Sequence, residues 1–316
     1  DQAEALTIEG TDDFVIRDAN ITITGINGDV SIDNPISKVG GTEEITISVQ
    51  ADGDITLGTD GSMTSSSGIM NVLLNADRDG DEDGDISINN ADISTNGGYF
   101  IAGGGSGTLG GADGILGNGD GNGADDSYAY GAYDAIVVRD AAITTSGGDI
   151  IMHGYAKGVG SDDGIMLSRV TLSSDDGSIN LTGVATETAG SARGLEINAG
   201  SGISTNITST GGNINIIGSN ANTGAIRFSS TTDSINITTT DGDITITTFP
   251  STNGGIDSGG ATTSSTISST NGNVTLSADT SILDIFNTIS AGDTLSIQTA
   301  SNNTTIGLGN GATGTL

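Results

Sequence analysis

The stretch Gly212-Asn213-Ile214-Asn215-Ile216 returns as Gly242-Asp243-Ile244-Thr245-Ile246 and again as Gly272-Asn273-Val274-Thr275-Leu276, each copy starting 30 residues after the last. In each copy a large apolar residue alternates with a small polar one, so an extended chain has one apolar and one wet face. The Gly-Asn or Gly-Asp in front supplies a turn. A second phrase keeps the same interval: Gly164-Ile165-Met166-Leu167, Gly194-Leu195-Glu196-Ile197, Gly224-Ala225-Ile226-Arg227-Phe228 and Gly254-Gly255-Ile256. Several strands per fixed period predict a solenoid, in which one repeat is one coil and buries its apolar side chains only by stacking on the next.

Working outward from these copies, the pattern reaches most of the chain. Gly28-Asp29-Val30-Ser31-Ile32, Gly53-Asp54-Ile55-Thr56-Leu57, Gly84-Asp85-Ile86-Ser87-Ile88, Gly148-Asp149-Ile150 and Gly177-Ser178-Ile179-Asn180-Leu181 repeat the first phrase. A third, weaker strand precedes the later copies, at Ile93-Ser94-Thr95, Ile143-Thr144-Thr145, Val170-Thr171-Leu172, Ile207-Thr208-Ser209 and Ile267-Ser268-Ser269. Three strands per coil predict an all-β, right-handed parallel β-helix of triangular section, the hand following from the crossover preference of parallel strands. About ten coils stacked at about 4.8 Å give a rod on the order of 50 Å long. No stretch reads as an amphipathic helix, and 281–290 falls where a strand belongs. The interval from Gly84 to Gly148 spans about two coils, as though one coil were enlarged or lacked its phrase. Asn213, Asp243 and Asn273 fall at equivalent turns and are expected to form a ladder of hydrogen bonds between coils.

Composition agrees with a narrow coil. The chain has 316 residues, 52 Gly, 2 Pro and 3% aromatic residues, too few large side chains for a conventional core of that length. The 8 Lys and Arg against 40 Asp and Glu give a formal charge of -32, which repels nucleic acid and anionic lipid and makes cations the natural partners. No apolar run approaches the roughly 20 residues that span a bilayer, so membrane insertion is not expected. No cysteine is available for a disulfide, a zinc cluster or a thiol nucleophile. No signal peptide precedes Asp1, so the numbering is expected to begin at a processed or trimmed end.

The regular pattern breaks at residues 97–134, where the runs 103–105, 110–111 and 117–123 are rich in glycine, and a long loop from one corner of the coil is expected in an otherwise single solenoid domain, 1–316. All five Tyr fall between 99 and 155. They would provide a glycan platform, a subunit contact, or packing of the loop onto the coil.

The strongest local chemistry is Asp77-Arg78-Asp79-Gly80-Asp81-Glu82-Asp83-Gly84-Asp85-Ile86. Calcium takes six to eight oxygens, and carboxylates at alternate positions with a glycine at the sharp turn provide them. Asp79, Asp81, Asp83, Gly84 and Ile86 match the first part of an EF-hand loop; Asn90 stands where that loop has its bidentate Glu, and no helices flank it. The expected calcium ligands are therefore Asp77, Asp79, Asp81, Asp83 and Asp85, with a weaker second set at Asn118, Asp120, Asn122 and Asp125.

Catalysis finds less support. His153 is the one histidine, which leaves a single possible base for a Ser-His-Asp arrangement. Asp162-Asp163, Asp175-Asp176 and Glu187 are candidate carboxylates, but the turns account for most of the aspartates. Arg139 and Arg169 each follow a strand phrase, and in so acidic a chain they read as charge partners. Asn-x-Ser/Thr sequons at Asn20, Asn180, Asn206, Asn236 and Asn273 would permit glycosylation in a suitable host.

The segments Thr144-Thr145-Ser146-Gly147-Gly148-Asp149-Ile150-Ile151-Met152 and Ser209-Thr210-Gly211-Gly212-Asn213-Ile214-Asn215-Ile216 resemble the repeats of filamentous haemagglutinin-type adhesins and related bacterial surface β-helix proteins. The resemblance covers most of the chain through a degenerate repeat, and the secretion domain of that family is not evident. It implies a right-handed parallel β-helix at the cell surface or outside the cell, serving attachment or matrix building. Neither 1–10 nor 301–316 reads as a strong cap over the open strand edges of such a rod, so the ends are expected to join further coils or another copy. The sequence thus points to a non-enzymatic, extracellular or cell-surface adhesive protein that self-associates into filaments stiffened by calcium. The alternative is a β-helix that binds or cleaves cell-surface or matrix glycans.

Overall fold

A computed structural model of the chain describes residues 6–8, 14–80, 84–104, 134–156, 162–186, 192–220, 224–230, 232–249, 255–260, 265–281 and 286–301. These residues form no helix. They make three sheets of ten strands each, called A, B and C, and every neighbouring pair of strands within a sheet is parallel. The chain visits A, B and C in strict rotation, so three consecutive strands make one coil. The coils span 6–25, 30–51, 55–76, 86–104, 136–156, 165–185, 195–220, 226–248, 255–277 and 280–298, numbered 1 to 10 here. This is the expected parallel solenoid of about ten coils.

Registers follow the sequence phrases. Ile179, Ile214, Ile244, Val274 and Leu295 lie side by side on sheet C, and Ile165, Leu195, Ile226 and Ile256 on sheet A. Alternate side chains point inward. Ile214, Ile216, Ile244 and Ile246 are fully buried, whereas Asn215 and Thr245 are half-exposed on the outer face. The core is a set of such apolar columns, and a single-residue slip would turn a column out to water.

The structure explains the long gap in the first phrase. Gly28-Asp29, Gly53-Asp54 and Gly84-Asp85 open strands of sheet A, whereas Gly148-Asp149 and the later copies open strands of sheet C. The phrase changes sheets between coils 4 and 5, because what it specifies is a corner followed by a strand, a need common to more than one corner. The expected boundary of the insertion also moves. Phe100–Gly104 is a strand of sheet C paired with Met70–Ala76, so residues 100–104 belong to the coil.

At the corner between sheets B and C each letter of the repeat has a mechanical reason. The hydroxyls of Thr145, Ser174, Ser209, Thr239 and Ser269 are buried in a column where the coil bends. The Ser209 hydroxyl donates to the Gly177 carbonyl at 3.0 Å and accepts the Gly212 N–H at 2.9 Å; Ser269 does the same for Gly242 and Gly272. Ser146 and Gly147 take the bend with φ of 55° and 127°. Gly212 must lack a side chain, since a Cβ there would stand 1.9 Å from the carbonyl oxygen of Gly177 one coil below. The next residue forms the expected ladder, in which a side-chain oxygen accepts a backbone N–H from the following coil: Asn213 to Asp243 at 2.8 Å, Asp243 to Asn273 at 2.8 Å, Asn273 to Thr294 at 3.2 Å. Rungs at the same corner join Asn20 to Thr46, Asn71 to Tyr99 and Asp149 to Ser178.

Candidate functional site

The other two corners close in short turns, whereas the longest connections, 77–85, 105–135, 157–164 and 186–194, all run from sheet C to sheet A. One edge of the prism therefore carries the irregular sequence, on consecutive coils. Both expected calcium loops leave from it, 77–85 after coil 3 and 118–125 within the connection after coil 4.

Of the nine expected ligands, Asp77, Asp79 and Asp85 are described; Asp81, Asp83, Asn118, Asp120, Asn122 and Asp125 lie outside the described residues. Asp77 is fully buried with φ 48°, and its carbonyl accepts the Gly80 N–H at 3.0 Å to make the first turn of the loop. The loop closes on itself, because a Cβ at Gly84 would lie 2.5 Å from the Asp77 nitrogen. Asp85 belongs to a shorter ladder at this C-to-A corner, its N–H donating to the Asp54 carboxylate at 2.8 Å, as that of Asp54 donates to Asp29 at 2.9 Å. Arg78, inside the acidic run, reaches back to the buried Asp52 carboxylate at 2.5 Å. Among the described residues no group of three or more acidic or histidine side chains is arranged to hold a metal ion.

Further along the same edge, coils 5 to 7 gather carboxylates that the sequence left undistinguished. Asp162 and Asp163 are buried, and Asp163 donates its N–H to Asp134 at 2.8 Å and accepts that of Arg193 at 2.6 Å. Its carboxyl also hydrogen-bonds Glu196 on the next strand. Two carboxyl groups in contact need a proton between them. Burial pushes Asp163 up to about 9, with the neighbouring charges of Glu196 and Asp134 adding to it. Burial likewise raises Asp134 to about 6. The Arg193 guanidinium approaches Asp257, two coils further along the rod than Arg193, at 3.9 Å.

Of the two arginines expected as charge partners, Arg139 donates to the Met166 sulfur at 3.9 Å and Arg169 makes an ion pair. Arg169 holds Asp140 with two bonds of 2.6 Å, and this contact keeps the Asp140 carboxyl below its ordinary range. On the outside of sheet C, a groove of about 280 Å³ lies among Tyr99, Ile69, Ile101, Ile151, Glu44 and Asp149. Ile101 and Ile151, together with Leu73, form an apolar stretch of a column that the other coils fill with half-exposed or exposed Ser, Asn or Thr. The Glu44 carboxylate accepts from the Asn71 amide at 2.7 Å, whose oxygen receives the Tyr99 N–H. His153 is half-buried on the same face, two residues after Ile151.

No protein family, curated protein or solved structure matches this chain.

Proposed function

We propose that the chain is a non-enzymatic, extracellular or cell-surface scaffold of the adhesive kind that its resemblance to filamentous haemagglutinin-type proteins suggests. Its rods join end to end, and calcium stiffens the loop-bearing edge. The observation that carries the reading is the division of labour in the coil: two corners close in short turns, one of them with a repeated ladder, and the third displays successive loops along a rigid line. A rod of this kind holds binding loops at fixed separations while the chemistry of attachment resides in the loops. Asp79, Asp81 and Asp83, with Asn118, Asp120, Asn122 and Asp125 on the neighbouring coil's connection, are the proposed calcium ligands, Asp77 and Asp85 fixing the two ends of the first loop. Calcium there would offset the repulsion of a surface carrying a formal charge of -32.

The test is electron microscopy with calcium titration by calorimetry. Fibres in calcium that dissociate in chelator, and an affinity that falls at least tenfold in Asp79→Asn/Asp83→Asn, are the expected results. Short single rods in both conditions would remove assembly from the reading, and an unchanged calorimetric isotherm would remove calcium.

The groove beside Tyr99 favours one second reading, a site for a neutral glycan. An aromatic ring and apolar floor flanked by Glu44, Asn71 and Asp149 suit a sugar's apolar face and hydroxyls. Retention on a glycan array that is lost in Tyr99→Ala would select this reading; no retention would discard it.

A further inference from the structure

The groove beside Tyr99 has a direction. Coils 2, 3, 4 and 5 place Thr46, Asn71, Tyr99 and Asp149 in one line along the rod, and two residues earlier on each coil Glu44, Ile69, Gly97 and Gly147 form a second line. The side chains of the second line stop at Ile69. A Cβ at Gly147 would meet no atom within 4 Å, so the groove is open where coils 4 and 5 carry no side chain. Beside it Tyr99 packs on Ile101 and Ile151. The trough therefore runs parallel to the rod axis for three coil steps, on the order of 15 Å. Its charge follows the same line. Of the described residues that line the groove, Glu44 and Asp149 are acidic and none is basic. The second line begins with Asp18 on coil 1 and continues with Asp176 on coil 6, both exposed. Glu44 accepts the Asn71 amide at 2.7 Å, Asp149 accepts the Ser178 N–H at 2.7 Å, and the Asn71 oxygen accepts the Tyr99 N–H at 3.1 Å. Each carboxylate keeps a second oxygen for a ligand, so apart from the Tyr99 hydroxyl these side chains offer acceptors, and the ligand has to supply the donors.

We propose that the groove holds an internal stretch of an uncharged polysaccharide laid parallel to the rod axis, and that its acidic flanks exclude polysaccharides of uronic acid. The proposal rests on the glycan reading of this groove and adds the direction and the charge of the ligand. A hexose presents an apolar ring face to Tyr99 and hydroxyl donors to Glu44 and Asp149. The coil spacing, about 4.8 Å, is close to the advance per sugar of an extended chain, so rings and coils keep pace over the length of the groove. A carboxylate on the sugar would instead meet Glu44 or Asp149, with Asp18 and Asp176 one coil beyond them. Charges one coil apart lie within the screening length of about 8 Å at physiological salt, so the repulsion acts along the whole bound stretch.

Calorimetry on the full chain tests both statements, with linear neutral oligosaccharides of glucose, mannose, galactose and xylose from one to six residues long, and with oligogalacturonides of the same lengths. At least one neutral series is expected to bind, its hexasaccharide at least tenfold tighter than its monosaccharide. Tyr99→Ala is expected to lose at least tenfold in that affinity while circular dichroism keeps its β signal. The oligogalacturonides are expected to give no heat with the parent, and to gain binding in high salt and in Glu44→Gln/Asp149→Asn, where each amide keeps the oxygen that its neighbour's N–H needs. A monosaccharide bound as tightly as the hexasaccharide would overturn the lie along the rod. Oligogalacturonides bound by the parent as tightly as the neutral chains, or still unbound by the double variant, would overturn the exclusion. The glycan reading survives each of these results. If no neutral oligosaccharide binds, the glycan reading falls and the proposal falls with it.

Discussion

Asp163→Asn is expected to make the protein more stable at pH 8 and to flatten its response to pH. The carboxyl is buried against Asp134 and Glu196, and its folded pKa stands near 9 against 3.8 for the free side chain. A raised folded pKa means that the folded state holds a proton the unfolded state releases. The stabilisation is complete below about pH 4, declines through the interval between the two pKa values, and is gone above about pH 9. With one proton of difference the slope is a little over 1 kcal/mol per pH unit, or about 3 kcal/mol between pH 6 and pH 8. Asparagine keeps an oxygen for the Arg193 N–H and can donate its amide to Glu196 without needing a proton. The whole chain also loses stability with rising pH through self-repulsion, so the diagnostic quantity is the difference between variants. Asp243→Asn is the reference, since it removes one charge at a position where the neighbouring rungs are already Asn213 and Asn273. Urea unfolding of coils 5 to 7, followed by hydrogen exchange at pH 6, 7 and 8, reads the effect. An Asp163→Asn protein whose midpoint falls with pH as steeply as that of Asp243→Asn would refute the shared proton and the buried carboxyl behind it.

Two further substitutions test the corners. Gly212→Ala places a Cβ 1.9 Å from the Gly177 carbonyl oxygen, a backbone atom that cannot swing away, whereas Gly211→Ala meets only the Asp176 side chain at 2.9 Å. The first is expected to cost roughly 1–3 kcal/mol or more and the second within about 0.5, and equal thermal midpoints for the two would sink the glycine-column argument. Lys38→Met keeps the volume of a fully buried side chain but removes an ammonium that donates to the carbonyls of Ser67 at 2.8 Å and Gly40 at 3.3 Å, so a loss of about 2–4 kcal/mol is expected; a variant as stable as the parent in urea would show that these carbonyls do not require it.

The coil was legible because its demands repeat. Ile214, Ile244 and Val274 announce a buried column, Gly212, Gly242 and Gly272 a close approach, and Asn213, Asp243 and Asn273 a ladder, each through spacing alone. Lys38 was not legible. It fills, on coil 2, the place that serine or threonine fills at Ser65, Thr95 and Thr145, and only the stacked register reveals the substitution. Asp163 escaped for a related reason. Asp-Gly pairs are so frequent here that Asp162-Asp163-Gly164 reads as one more turn. The distinguishing signal is the position two residues before an inward isoleucine, shared by Asp134 and Asp163 and held by glycine in coils 2 to 4. The edge that unites the loops is also invisible along the chain, since loop lengths show which connection is long but not that the long ones share a corner.

These differences bear on how the resemblance to surface adhesins should be weighed. In Thr145-Ser146-Gly147-Gly148-Asp149-Ile150 the hydroxyl bonds the Gly148 carbonyl, the next two residues bend the chain at positive φ, Gly148 lets two coils touch, the aspartate bonds the coil above, and isoleucine enters the core. A motif in which every letter answers a mechanical need can arise in any chain that builds this corner. It therefore speaks for architecture more strongly than for ancestry. Function is better sought where residues depart from what the corner requires: Tyr99 at a rung otherwise held by small polar residues, Leu73, Ile101 and Ile151 in a column elsewhere filled by Ser, Asn and Thr, and the acidic insertions of one edge. Ile101 and Ile151 are buried and pack with Tyr99 into a small apolar cluster outside the main core, whereas the acidic run carries a cost in charge repulsion. The departures concentrate on coils 3 to 6, where the Gly-Asp phrase also changes sheets, so that section of the rod departs furthest from the repeat.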